Sequence, residues 1–261
     1  YKRQYLMFNI APPFYGSAYY PESWDKTIID EDIRLMKESG LNTARIGEFA
    51  WKTMEPQEGI YDFSLFKKVA EKLKENGIAI VMGTPTCTPP AWLTCSHPEI
   101  MQINTRGERS THGARRNACI NNPVYLEYCD KIVTKQAKAF ADGSAAAENL
   151  IGWQIDNELY NNTPDGRGCC CPVCRNKFIQ RLKEKYGTID VLNDAWGLDV
   201  WSLRYDSFEQ IPVPRHDIWH HPAFLSEWMR FHADSYAEFT ARQAEIIRKY
   251  SSCLLYTSPS P

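Results

Sequence analysis

The sequence has 261 residues, of which 43% are hydrophobic and 24% are charged. This composition is that of an ordinary globular protein with enough length to bury a substantial core, and it excludes a disordered or fibrous chain. The 30 basic and 32 acidic residues leave a formal charge of -2, so no large field of one sign surrounds the protein. Balanced charge argues against nucleic acid or an anionic membrane as a partner and favours a small neutral molecule.

The sequence predicts neither a membrane span nor a signal peptide, and its C-terminal end contributes nothing to the predicted fold. No apolar run approaches the roughly 20 residues that a membrane span needs. The opening LMFNIAPPF is too short, and too soon interrupted by proline, for a signal peptide, so we expect a cytoplasmic protein. Because the chain begins at Tyr1 and closes with the low-complexity run SSCLLYTSPSP, we interpret residues 252–261 as a non-native tail and leave them out of the predicted fold.

Strand-like runs alternate with amphipathic helical segments along the first half of the chain. A strand over residues 14–20 is followed by a helix that ends at Gly40, and a second strand is expected over residues 42–51. A third helix-and-strand unit has a helix capped by Ser64 and the continuous apolar run IAIVMG. This alternation is typical of βα units around a parallel sheet, and a fully apolar run suits a strand that is covered on both faces.

A fourth strand is predicted over residues 150–158, after a long loop from Thr84 to Asn122 and a helix from Val124 to about Ala141. Beyond it we expect only loops and helices, among them one near 175–186 and a long one from about 223 to 250. A complete (β/α)8 barrel typically takes about 250 residues and has eight strands. We therefore assign residues 1–251 to the N-terminal part of an incomplete TIM barrel of the α/β class.

Catalytic groups in such barrels lie at the C-terminal ends of the strands. Glu22, Glu48 and the run Asp156-Asn157-Glu158 fall at these ends, and the last follows a strand whose body is apolar. A glycosidase needs one carboxylic acid to protonate the leaving oxygen, and Glu158 suits that role. The alternative is a solvated loop carboxylate, or a carboxylate paired with an arginine such as Arg115.

Five sequence blocks, in the order given, resemble the glycoside hydrolase family 42 β-galactosidases over about residues 14–250. The blocks are YYPESW, NTARIGEFAWKTMEPQEGIYDF, TPTCTPPAWL, GARRNACINNPVY and GWQIDNEL. The resemblance implies a retaining enzyme that releases terminal β-D-galactose by double displacement, with Glu158 as the general acid/base. It also implies that Arg115 and Asn157 hold the galactosyl hydroxyls. Arg45 and Glu48 lie in a matching block as well, and we expect them to support the mouth of the barrel rather than to touch the reacting bond.

The same resemblance assigns the nucleophilic glutamate to a later strand, beyond residue 261. We therefore expect the polypeptide as written to be inactive by itself. The substrate implied is a galactoside or galacto-oligosaccharide, and the complete enzymes of the family form trimers.

A cluster of cysteines predicts a metal site. Cys169-x-Cys171-x-x-Cys174 brings three thiolates together, and one more would complete a tetrahedral zinc site with four cysteine ligands, which is structural because it leaves no open position. The resemblance supplies Cys119 as the fourth ligand. Cys170 allows a register in which it replaces Cys169 or Cys171, although alternate residues point more readily to one side. Unliganded reduced thiols are the remaining alternative.

Two other functions stay open at this point. One is a retaining β-glycosidase that acts on β-glucosides or mannosides, because an Asn-Glu pair at the fourth strand is shared widely among such enzymes. The other is a zinc-stabilised fragment in which Glu158 does no chemistry. The clear βα alternation and the balanced charge argue against this second alternative.

Overall fold

The computed structural model describes residues 13–113, 115–161, 163 and 166–256. Its sheet contains five parallel strands in the order β1-β2-β3-β4-β5. The strands are β1 (Gly16–Ala18), β2 (Thr43–Ile46), β3 (Ala79–Gly83), β4 (Leu150–Gln154) and β5 (Leu254–Tyr256). Each strand pairs with the next one along the chain, as in a singly wound barrel, whereas a doubly wound sheet reverses its strand order. The predicted α/β class is confirmed.

The strand count exceeds the sequence prediction by one. Strand β5 pairs in parallel with β4, with Gly152 opposite Leu254 and Trp153 opposite Leu255. Trp153 also donates its indole N–H to Ser251 Oγ at 3.1 Å, which ties the approach to β5 to the strand beside it. Residues 254–256, which were not expected to be part of the fold, therefore belong to the sheet. The interpretation of residues 252–261 as non-native stays a prediction, and residues 257–261 lie outside the described part of the chain.

The helices follow the predicted alternation, with boundaries shifted by a few residues. Those of four or more residues are Ile29–Glu38, Trp51–Met54, Ser64–Glu75, Ala91–Ser96, Pro123–Ala139, Pro172–Tyr186, Ile189–Trp196 and Pro222–Arg248. Short 3-10 turns cover Pro21–Ser23, Lys26–Ile28, Pro98–Ile100, Ala145–Ala147, Val200–Ser202 and Phe208–Gln210. No helix among the described residues is both long and apolar enough to cross a membrane.

Two local predictions need correction. The segment from Thr84 to Asn122 is not an uninterrupted loop, because it contains the helix Ala91–Ser96, whose first turn is closed by N–H groups of Leu93 and Thr94 on the Pro90 carbonyl. A proline at a helix start has no N–H to leave unsatisfied, which favours this turn.

The helix Ser64–Glu75 is not capped by the Ser64 hydroxyl. Instead, Asp62 Oδ1 accepts the Ser64 N–H at 2.8 Å. An aspartate oxygen suits this position because it satisfies a backbone donor that the helix itself leaves unpaired.

The described residues divide into two compact units. One comprises residues 13–96, 127–159 and 240–256 and holds the whole sheet, and the other comprises residues 97–126 and 160–239. In the first unit, β3 is buried along its full length, and Phe66, Val69 and Leu73 of the neighbouring helix are buried as well. The first unit therefore has the apolar core that the alternation of strands and helices predicts.

The second unit has its own aromatic core. The Phe178 ring meets the Trp228 ring edge-on, with centroids 4.9 Å apart, and Phe231 lies 5.6 Å from Phe178. All three side chains are at most 1% exposed. Isolated antiparallel bridges join Met101 to Ala118 and Ile103 to Arg109, so the segment 97–126 is ordered without forming a sheet.

Candidate active site and metal centre

Polar side chains gather at the carboxyl edge of the sheet in the first unit. In parallel strands all carboxyl ends lie along the same edge, where the catalytic groups of βα barrels are found. The residues that follow these ends are Glu22 after β1, Glu48 after β2, Thr84 and Thr86 after β3, and Asp156, Asn157 and Glu158 after β4. The ends of β1, β2 and β4 therefore each contribute a carboxyl group.

Asp156 anchors the turn after β4. Its Oδ2 accepts the Thr86 hydroxyl at 2.6 Å, its Oδ1 accepts the Asn157 N–H at 2.6 Å, and its own N–H donates to Thr84 Oγ1 at 2.7 Å. Both carboxylate oxygens are thus engaged, and the residue is 1% exposed. We conclude that Asp156 holds the turn in place and is not available to protonate a substrate.

The backbone of this turn is strained on either side of Asn157. Asp156 has φ 56° and Glu158 has φ 47°, both in the left-handed region that residues with a β-carbon rarely adopt. Such conformations cost roughly 1–3 kcal/mol each and concentrate at functional sites. Asp156 and Asn157 are buried whereas Glu158 is only half-buried, so Glu158 is the more accessible carboxyl group of this turn.

Arg45 joins the ends of β2 and β4. Its Nε donates to Glu48 Oε1 at 2.8 Å, and its Nη1 donates to Gln154 Oε1 at 2.9 Å. Gln154 Nε2 in turn donates to Asn157 Oδ1 at 3.2 Å and to the Asp156 carbonyl at 2.9 Å. Arg45 and Glu48 therefore brace the strand ends, as the sequence analysis expected of them.

Gly83 lies so close to Glu48 that no side chain fits at position 83. A β-carbon added at Gly83 would lie 2.6 Å from the Glu48 β-carbon and 2.9 Å from its backbone nitrogen. Contacts this short do not occur between real side chains, so a glycine is required here. The Glu48 side chain is completely buried, which fixes the Arg45–Glu48 ion pair at the end of β2.

Glu22, after β1, is a carboxyl group with a perturbed acidity. Burial raises the pKa of the Glu22 carboxyl above its usual value, and the nearby Glu48 carboxylate raises it further. Hydrogen bonding to its own backbone partly opposes this rise. A carboxyl group in this environment takes up a proton more readily than a solvated one.

The predicted substrate-binding residues fall in different units. Asn157 lies next to Glu158 in the strained turn of the first unit and is 3% exposed. Arg115 is half-buried and belongs to the second unit. The structure thus brings Asn157 and Glu158 together, and the predicted role of Arg115 stays a prediction.

Residues that the sequence analysis missed complete the site. Thr84, Thr86 and Gln154 supply the hydrogen bonds that hold Asp156 and Asn157. The sequence gives only a weak signal for them. Thr84 and Thr86 are two positions apart after the apolar strand β3, and Gln154 is an amide at the end of β4.

The second unit contains a compact cluster of four thiols. The Sγ atoms of Cys119, Cys169, Cys171 and Cys174 all lie within 4.8 Å of one another, and all four residues are buried. Cys119 Sγ is 3.4 Å from Cys174 Sγ and 3.7 Å from Cys171 Sγ. Four sulfurs around a zinc ion at about 2.3 Å stand about 3.8 Å apart, so the spacing fits a tetrahedral site.

Local structure explains how these sulfurs meet. Cys171 precedes the helix Pro172–Tyr186, and its sulfur accepts the Cys174 N–H at 3.5 Å. Two further donors point at the cluster, the Ile103 N–H to Cys169 Sγ at 3.4 Å and Asn121 Nδ2 to Cys174 Sγ at 3.5 Å. A helix N-terminus and N–H donors both stabilise thiolates, which are the form that binds metal.

Cys170 points away from these four cysteines. Its thiol is 3.7 Å from both the Gly168 and the Pro214 carbonyl oxygens, which it can donate to. Gly168 has φ 82°, and a β-carbon there would lie 2.8 Å from the His232 ring. The geometry therefore selects Cys169 and Cys171, not Cys170, as members of the cluster.

The donor set of the cluster also suits a bound cation, because its four sulfur ligands are close together and buried. Without a positive ion, several negative sulfurs could not share so small and dry a space. The donor set of four thiolates with no oxygen ligand fits zinc, and the residues that would hold it are the four cysteines.

Comparison with known proteins assigns the chain to a family. A family model described as β-galactosidase, that of glycoside hydrolase family 42, matches residues 18–258. The chain belongs to glycoside hydrolase family 42. The family 42 match includes β5, and it makes the five-stranded sheet the N-terminal part of the family's TIM barrel, which is incomplete in this chain.

Individual relatives agree with this assignment. The chain is 44% identical over 239 residues to the β-galactosidase YesZ of Bacillus licheniformis, covering 91% of this chain and 35% of that protein. It is 39% identical over 237 residues to a β-galactosidase of Thermus thermophilus, covering 90% of this chain and 36% of that one. The chain therefore spans about a third of the length of these curated relatives.

A solved β-galactosidase structure shows the same architecture. The β-galactosidase from the Antarctic haloarchaeon Halorubrum lacusprofundi superposes with a TM-score of 0.86 at 34% identity. The match covers 93% of this chain and 36% of that one. The fold predicted from the sequence, part of a TIM barrel, is confirmed by this similarity.

Proposed function

We propose that the protein to which this chain belongs is a retaining β-galactosidase with Glu158 as its general acid/base. The observation that carries the proposal is the strained turn after β4, in which a half-buried glutamate follows a buried asparagine at the carboxyl edge of the sheet. Relatives that are named β-galactosidases support the choice of substrate.

The reaction has two steps in this proposal. In the first, Glu158 donates its proton to the glycosidic oxygen while a nucleophilic carboxylate attacks the sugar carbon, so the bond to the leaving alcohol breaks as a glycosyl ester forms. In the second, Glu158 takes a proton from water, and the hydroxide so formed displaces the carboxylate. The proton returns to Glu158, and two inversions at the carbon give net retention.

The nucleophile is assigned by the family resemblance to a glutamate on a later strand of the barrel. The proposal therefore concerns the whole protein, of which this chain supplies the acid/base. Asn157 and Arg115 are proposed to bind galactosyl hydroxyls, a task for which the rigid fork of donors on arginine is well suited. Trimeric assembly and a cytoplasmic location stay predictions.

A structural zinc ion is part of the proposal. Cys119, Cys169, Cys171 and Cys174 would hold it, and its contribution would be to join the segments 97–126 and 160–239 of the second unit. Four thiolate ligands leave no open position for water or substrate, so the ion takes no part in the reaction.

The direct test is hydrolysis by the full-length protein. We expect turnover of an aryl β-galactoside, with the β-anomer of galactose appearing first when the reaction is followed by proton NMR. An initial α-anomer would contradict the retaining mechanism. Equal or better turnover of aryl β-glucosides or β-mannosides would instead favour the alternative of a different sugar specificity.

A further inference from the structure

The side-chain amide of Asn157 is the last member of a buried chain of hydrogen bonds. Arg45 Nη1 donates to Gln154 Oε1 at 2.9 Å, and Gln154 Nε2 donates to Asn157 Oδ1 at 3.2 Å. The same Nε2 also donates to the Asp156 carbonyl at 2.9 Å. Gln154 is completely buried and Asn157 is 3% exposed, so water does not compete strongly for these bonds.

Arg45 sets the donor-to-acceptor direction of this chain of hydrogen bonds. A guanidinium group has five N–H donors and no acceptor, so Gln154 must turn its oxygen toward Arg45 and its NH2 group toward Asn157. Asn157 must then turn its own oxygen toward Gln154. Its NH2 group consequently points the other way, so the orientations of both amides follow from the identity of one cation.

Arg45 is itself held in place. Its Nε donates to Glu48 Oε1 at 2.8 Å, and the Glu48 side chain is completely buried. Gly83 packs closely against the Glu48 backbone, since a β-carbon at position 83 would lie 2.9 Å from the Glu48 nitrogen. Because a guanidinium group stays protonated throughout the working pH range of an enzyme, the direction of the chain does not depend on pH.

We propose that Arg45, acting through Gln154, is a positioning residue that turns the Asn157 NH2 group toward the substrate. This assignment rests on the proposed function, in which Asn157 binds the sugar hydroxyl next to the reacting carbon. An NH2 group facing that hydroxyl makes the hydroxyl oxygen an acceptor. Such a contact strengthens as positive charge develops on the sugar ring.

The test reverses the orientation of the Asn157 amide by a substitution of nearly equal size, Gln154→Glu in the full-length protein. The introduced carboxylate still accepts from Arg45 but has no N–H for Asn157, which must turn its NH2 group inward. We expect kcat/KM for an aryl β-galactoside to fall about tenfold to a hundredfold, the usual effect of misplacing one substrate hydrogen bond. For the analogue that lacks the adjacent hydroxyl, we expect a change below about twofold.

A double-mutant cycle separates positioning from a general structural effect. In an Asn157→Ala background, Gln154→Glu should cost less than about twofold, because the two changes remove the same contact. Equal losses on both substrates, or fully additive losses, would overturn the assignment.

A control and a second variant guard against misfolding. Gln136 is another completely buried glutamine, and its Nε2 donates to the Gly83 carbonyl at 2.8 Å outside this chain of bonds. Any loss in Gln136→Glu should be the same for both substrates. If Gln154→Glu does not fold, Asn157→Asp keeps the bond from Gln154 and replaces only the outward NH2 group by oxygen. Full activity of Asn157→Asp on the galactoside would overturn the proposed orientation.

Failure of this inference can be told apart from failure of the proposed function. An active parent whose Gln154→Glu variant is unchanged on the galactoside overturns the positioning role alone. A full-length parent that cleaves no β-galactoside overturns the proposed function, and the positioning role with it.

Discussion

The Thr86 hydroxyl donates to Asp156 Oδ2 at 2.6 Å, and both residues are almost completely buried. Thr86→Val keeps the shape of the side chain but leaves the buried carboxylate without this donor. We expect the free energy of unfolding to fall by roughly 1–3 kcal/mol. The thermal midpoint of the full-length protein checks this. Thr88→Val is the matched control, because that half-buried hydroxyl bonds only weakly to the Pro85 carbonyl at 3.3 Å, and it should have the smaller effect.

Gly83→Ala should disturb the support of the site. The added β-carbon would lie 2.6 Å from the Glu48 β-carbon, so β2 and β3 must move apart at their carboxyl ends. Overpacking of this kind costs typically about 1–3 kcal/mol. Because Glu48 holds Arg45, we expect activity to fall along with the thermal midpoint. A variant as stable and active as the parent would mean that the two strand ends are not tightly coupled.

Glu22 predicts a specific pH dependence of stability. The pKa of the Glu22 carboxyl in the folded protein is raised above the ordinary value of 4.5, because burial disfavours the charged form. The protonated carboxyl therefore contributes stability that is fully present below that pH and is lost as the pH rises through the pKa of the folded protein. Glu22→Gln should therefore match the parent at low pH and become more stable than the parent as the pH approaches neutrality. Thermal midpoints measured across this window check the sign, and the exposed Glu71→Gln serves as control. A difference that shrinks with rising pH would contradict the burial argument.

The metal content of cysteine variants should show which of the consecutive cysteines bind the ion. We expect one zinc ion per chain in the parent and in the Cys170→Ala variant, because the Cys170 thiol of the parent faces the Gly168 and Pro214 carbonyls. Cys171→Ala should lose the metal and unfold at lower temperature, because one of four ligands is gone. Elemental analysis of the purified variants distinguishes them. Loss of metal from Cys170→Ala with retention in Cys171→Ala would reverse the assignment.

Hydrophobic patterning was enough to predict the order of strands and helices. The run IAIVMG is apolar throughout because β3 is covered on both faces, which is a signal that the sequence carries directly. Strand β5 was missed because three residues, Leu254–Tyr256, form a strand only through pairing with β4, and their low-complexity surroundings concealed them. Short strands depend on such long-range partners more than on their own sequence.

The sequence predicted that Asn157 and Glu158 lie at the end of a strand, but it did not predict that Thr84, Thr86 and Gln154 hold this turn. Glu158 and Asn157 stand at a strand end, a position that βα topology marks for function. The roles of Gln154 and Thr86 arise from contacts with residues far along the chain, at separations of 109 and 70 residues, respectively. No local pattern encodes such contacts. The cysteine register was open in the sequence because only the path of the backbone after Gly168 decides which sulfurs converge.

The central claim is that Glu158 is the acid/base. The most direct measurement compares Glu158→Gln with the parent in the full-length protein, on natural galactosides and on an activated aryl β-galactoside, with and without azide. We expect natural galactosides to be cleaved about 10²–10⁴-fold more slowly, since their leaving groups need the proton. With the aryl substrate, azide should restore turnover and give β-galactosyl azide. The exposed Glu148→Gln should behave as the parent does. Normal cleavage of natural galactosides by Glu158→Gln, with no effect of azide, would contradict the assignment.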